Sequence, residues 1–160
     1  LVGGAASQVF LAEASQHSVA ELQRLFKKTV SRFLLIGMFG MAPILFAGPQ
    51  LFAFVFGEPW REAGAFAQAL ILLQLARFVQ VPTSQSFNIL GRQDLELKTA
   101  ILGAISLAGS FWVITLLNAG PVTALLIYSV ASGASHLVML YVAWQITRKA
   151  ALQESQESSS

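Results

Sequence analysis

The chain has 160 residues, 55% hydrophobic and 11% charged, with a mean hydropathy of +0.64. Soluble domains average about 25% charged residues, so lipid rather than water is the solvent this composition suits. A net charge of +2 gives no argument for a nucleic-acid partner, and the lack of cysteine excludes disulfides, thiolate metal sites and a cysteine nucleophile.

The first residues, LVGGAASQVFLA, are apolar but too short to span a bilayer, which takes about 20 apolar residues. They read as the end of a helix that begins earlier, and the chain as a fragment of a longer membrane protein. Residues 18–33, SVAELQRLFKKTVSRF, are amphipathic. Val19, Leu22, Leu25, Phe26, Val30 and Phe33 recur at helical spacing, with Arg24, Lys27, Lys28 and Arg32 opposite. Two readings stay open: a cytoplasmic helix lying on the membrane surface, or the start of one long helix.

No charge occurs from Phe33 to Gly57, and the short charged connection EPWRE follows. From Ala63 to Gly91 the one charge is Arg77. After the loop RQDLELK, Thr99 to Thr147 is again free of charge, and NAGP at 118–121 divides that run. The expectation is an all-α membrane protein with four transmembrane helices at about 33–56, 62–91, 97–117 and 121–147. The end of a fifth helix and an amphipathic segment precede them. Strand-like alternation is absent, which leaves helices as the spanning form. Residues 1–150 form the bundle. Residues 151–160, ending in QESQESSS, are expected to be a disordered tail.

With four spans, every lysine- and arginine-rich connection falls on one side. That side is then cytoplasmic and carries the C-terminus. Trp60, Trp112 and Trp144 fall towards span ends, where aromatic belts lie. Gly37, Gly40, Pro43, Gly48 and Pro49 interrupt the first span. They serve either a bending transporter helix or close helix packing.

Arg77 near a span centre is costly. Its insertion costs about 2.5–3.5 kcal/mol on translocon scales and roughly 10 or more on an isolated helix. Such a residue faces a bundle interior or a wet cavity. Gln74, Arg77, Val81, Ser84, Gln85 and Asn88 share one side of this helix at about 100° per residue, while Leu72, Leu75, Ala76, Val79, Thr83 and Leu90 take the other. Pro82 is expected to kink it. The favoured reading is a cavity in which Arg77 meets an anionic substrate group, since a guanidinium matches phosphate geometry. A structural ion pair with another helix and snorkelling are the alternatives. The other three spans hold no acidic residue.

In the last span, Ser129, Ser132 and Gly133 make a small-residue face for close contact. His136 is read as hydrogen-bonded across helices, with a proton-coupled role as the alternative. No catalytic triad, phosphate-binding glycine loop or metal-ligand cluster is visible, so neither enzyme activity nor a cofactor is expected.

The stretch FVFGEPWREAGAFAQAL, 54–70, resembles bacterial polysaccharide flippases, carried by Phe56, Gly57, Glu58, Trp60, Arg61, Ala63 and Gly64. In that family a helix ends at Phe-Gly, an acidic residue and a Trp follow, and an Ala-Gly pair opens the next helix. NILGRQDLEL at 88–97 resembles the family's next cytoplasmic loop, and ASQVFLAEAS resembles the end of an earlier helix. The resemblance covers roughly 1–117. It implies the multidrug/oligosaccharidyl-lipid/polysaccharide exporter superfamily, with two helical bundles around a central cavity and usually 12 to 14 spans. It implies flipping of a polyprenyl-pyrophosphate-linked oligosaccharide across the bacterial inner membrane, for O-antigen or exopolysaccharide assembly. The partners are then that lipid-linked oligosaccharide, membrane lipids and an N-terminal bundle of the same protein; this stretch alone is not expected to transport. A drug or peptidoglycan-precursor exporter and a membrane scaffold subunit are the competing readings.

Overall fold

Glycine and proline decide where the first helix bends and how closely its neighbour approaches. The computed structural model describes residues 19–157 together with Gln8 and Ala12. Apart from those two residues, the expected helix end at 1–12 lies outside the described residues. Helix α1 runs Val19–Phe56, 38 residues, with Ala47 out of helical geometry at φ −140°, ψ 28°. Pro49 lacks an N–H, so the carbonyl of Leu45, four residues back, loses its helical donor. Gln68 replaces it from the neighbouring helix, donating from Nε2 to Leu45 O at 2.9 Å.

A 3-10 turn at Glu58–Trp60 leads into α2, Arg61–Ala69. Arg61 donates twice to the Glu58 carboxylate, at 2.8 Å each. Those bonds and the guanidinium charge hold the exposed Glu58 carboxyl below its usual range. Gly64 then meets α1 backbone to backbone. A Cβ there would run into the carbonyl of Gly48, and one on Gly48 would lie 2.6 Å from Gly64 O. Gly64 of the Ala-Gly pair is thus a contact between α1 and α2. Gln68→Leu leaves Leu45 O without its donor, and the expected loss is about 1 kcal/mol in a detergent-unfolding titration.

Helix α3 spans Ile71–Thr83 and α4 spans Gln85–Ile89. The bend expected at Pro82 falls elsewhere. The segment turns by 51° between Glu58–Ala69 and Ile71–Ile89, at Leu70 (φ −90°, ψ −4°). The cause is a side chain from the last helix. Leu73 N–H donates to Ser129 Oγ at 3.1 Å, and a Cβ on Gly133 would just reach van der Waals contact with the backbone of Leu72 and Leu73. Near Pro82 the helix is interrupted only at Ser84. There the N–H is shared between Gln80 O and Val81 O, and the dihedrals stay helical.

Two Schellman turns end the later helices. Gly91 at φ 63° closes α4, with Arg92 N–H bonded to Phe87 O and Gly91 N–H to Asn88 O. Asn118 at φ 45° closes α5, Gln93–Leu116, with Ala119 N–H bonded to Ile114 O and Asn118 N–H to Thr115 O. Pro121 opens α6, which runs to Glu157, with its ring at the first helical position, where no N–H is missed.

Helix α6 is the hub. It packs on α1, α2, α3, α4 and α5, while α5 leans mainly on α6. At 1.5 Å per residue, α1 and α6 are each about 55 Å long, well beyond the ~30 Å hydrocarbon core. Their excess lies at the same end, where Phe26, Phe87, Ala143 and Ile146 form a buried cluster and Leu22 packs with Leu25, Ile89 and Leu90. Leu22, Leu25, Phe26 and Val30 therefore cover neighbouring helices, and residues 19–33 are the start of one long helix rather than a separate surface helix. The tail expected to be disordered at 151–160 is helical through Glu157. Extending an existing helix needs no new nucleus, and Ala150, Ala151 and Leu152 are strong helix formers.

The described residues are all-α, without a strand. Glu21–Phe56, Gln93–Leu116 and Pro121–Gln156 are long and apolar enough to cross a membrane, and the bent pair makes a fourth span if counted as one. The basic residues at 24–32, 92–98 and 148–149 gather at the end that holds the Phe26 cluster.

Candidate functional site

Arg77 opens into a groove of ≈ 340 Å³ between α3 and α5, floored by α6. The groove follows from the hub arrangement, because α3 and α5 both pack on α6 and leave a channel between them. Gly103 on α5 and the small Ser132 and Ser135 on α6 keep it open. His136, Tyr128 and Thr99 complete its polar lining, and no carboxylate lines it.

Hydrogen bonding decides which of these groups face a ligand free. Thr99 donates to Glu96 O at 2.8 Å and Ser135 to Ala131 O at 3.0 Å. His136 Nδ1 lies 2.8 Å from Ser132 O. A carbonyl only accepts, so Nδ1 carries the hydrogen and Nε2 is left over. This bond stays within α6, where a bond across helices was the sequence expectation. Among the described residues Arg77 has neither a carboxylate partner nor a hydrogen bond. Its five N–H donors are available, together with the hydroxyls of Tyr128 and Ser132.

The predicted polar stripe is divided by the fold. Arg77 lines the groove and is itself exposed. Gln74 is exposed and outside its lining. Ser84 spends its hydroxyl on Val81 O at 2.8 Å. Asn88 donates to Gln85 Oε1 at 3.0 Å and accepts from Gln93 at 3.4 Å, a chain at the basic end of the bundle. Gln80 is a groove neighbour that the sequence reading passed over. It is buried, and its Nε2 lies 3.1 Å from Sδ of Met139, which lines the groove. Three residues after Arg77 it stands only about 60° away on the helix, so its position was readable.

The fold and groove define a class: an all-α bundle of helices with membrane-spanning length and apolarity, carrying an arginine without an acidic partner between them. No protein-family model matches the chain, and no curated protein or solved structure matches it.

Proposed function

We propose that this bundle is part of a flippase that moves a polyprenyl-pyrophosphate-linked oligosaccharide across the bacterial inner membrane. The observation that carries the reading is Arg77, without an acidic partner, in a carboxylate-free groove with the hydroxyls of Tyr128 and Ser132. An anion at that place would exchange water for charge-assisted hydrogen bonds in a low dielectric. The likeness of 54–70 and 88–97 to polysaccharide flippases narrows the anion to a lipid-linked pyrophosphate. The absence of carboxylates from the groove weighs against a cationic-drug exporter. In this reading the basic end is cytoplasmic, with the C-terminus, and the headgroup enters there. Rocking of this bundle against a second one then exposes the headgroup on the other side.

The test is surface polysaccharide output from bacteria whose transporter carries Arg77→Ala or Arg77→Lys, at matched membrane levels of the protein. Output is expected to fall at least tenfold with alanine and to recover in part with lysine. Normal output with alanine rejects the reading. Loss of the protein itself from the membrane would make Arg77 a structural partner instead.

A further inference from the structure

A second feature lies on the opposite side of α6 from the Arg77 groove. Helices α1 and α6 diverge above the Phe26 cluster and leave a cleft of ≈ 500 Å³. Val30 and Leu34 form one wall and Leu137 and Leu140 the other. The same four residues line a second cleft of ≈ 430 Å³ that continues towards the middle of the bundle, where Leu72, Leu75, Ala76 and Val79 of α3 join its wall, and reaches Ser129 on α6. The two are one apolar channel, open along its side. From Trp144 to Ser129 on α6 is about 22 Å, more than half of a ~30 Å hydrocarbon core.

The mouth of this channel has different chemistry. Lys27 and Ser31 line it on α1, and Tyr141 and Trp144 on α6. Arg148 lies over the Trp144 ring, 5.5 Å from its centroid, which holds the guanidinium at the rim. Neither Lys27 nor Arg148 pairs with a carboxylate among the described residues. Two cations above a leaflet-deep apolar cleft, flanked by two interfacial aromatic rings, match a lipid with a negative headgroup and acyl chains. We propose that the α1–α6 cleft binds one anionic glycerophospholipid of the leaflet at the basic end. Its phosphate lies between Lys27 and Arg148, and one chain lies along Leu34 and Leu137. The site is separate from Arg77 and does not depend on what the protein transports.

Trp144 is the reporter. The full chain is reconstituted into phosphatidylcholine vesicles containing a minor fraction of phosphatidylglycerol with brominated chains. Trp60 and Trp112, both exposed and at the other end of the bundle, are replaced by Phe so that Trp144 alone fluoresces. Its quenching is expected to report a local enrichment over the bulk fraction on the order of tenfold, from two cations at the surface. Lys27→Gln with Arg148→Gln should return the quenching to the bulk value, while Lys27→Arg with Arg148→Lys should keep the enrichment. Quenching that follows the bulk fraction in the parent overturns the proposal. So does equal quenching by brominated phosphatidylcholine, or enrichment that survives in the Gln variant.

Discussion

Gly64→Ala is expected to destabilise the bundle by roughly 3 kcal/mol, the upper end for overpacking a close contact. The added methyl has no free volume to enter, because the atoms in its way are the backbone of Gly48 and Pro49. A side chain could rotate aside; backbone has to move with its helix. Separating α1 from α2 would also pull Gln68 away from Leu45 O, which sits at the Pro49 break. The measurement is an SDS-unfolding titration in mixed micelles, followed by circular dichroism, beside Gly40→Ala and Gly109→Ala. A Cβ at either control position meets nothing within 4 Å. Those two variants are expected to be neutral or to gain up to about 1 kcal/mol from helix propensity. If Gly64→Ala behaves like them, α1 and α2 do not meet at Gly48.

The same residues show what a sequence can and cannot tell. The long apolar helices were legible because charge-free runs and the NAGP break are local properties. Asn118 and Pro121 do there what their conformational preferences dictate. Gly48 and Gly64 were visible as small residues, but their pairing was not, because the contact joins positions on two helices. The bend was misplaced for a related reason. Pro82 is a local signal, whereas the bend at Leu70 depends on Ser129 Oγ of α6 accepting from Leu73 N–H. The amphipathic segment 18–33 shows the limit most plainly. An apolar face opposite a basic one fits a lipid surface or a neighbouring helix equally well, and the choice depends on Phe87, Ala143 and Ile146 being nearby. The polar stripe was read as one side of a single helix, but its residues fall on α3, at the Ser84 break and on α4. A helical wheel, however, does not say which stretch of that side faces a groove and which faces its own backbone.

That division of the stripe sets up the second large effect, in ligand affinity. For an isoprenoid pyrophosphate probe, Arg77→Ala is expected to weaken binding about 10- to 150-fold. This corresponds to the roughly 1.5–3 kcal/mol of hydrogen bonds to a charged group. Arg77→Lys should recover part of this, since an ammonium restores the charge but not the two-pronged donor geometry. The neighbours on the stripe provide the contrast. Gln74 stands outside the groove lining, and Gln85 and Asn88 are bonded to each other. Alanine at Gln74 or Asn88 is therefore expected to change affinity by no more than about threefold, less than 1 kcal/mol. If instead Gln74 and Asn88 matter as much as Arg77, the ligand lies along the whole outer face of α3 and α4. The binding surface would then be completed by another helix bundle rather than by α5 and α6. Loss confined to Arg77, joined by Tyr128→Phe, would place the pyrophosphate in the groove over α6. There the hydroxyls of Tyr128 and Ser132 are the remaining donors of the lining, and removing one neutral donor should cost about threefold to tenfold.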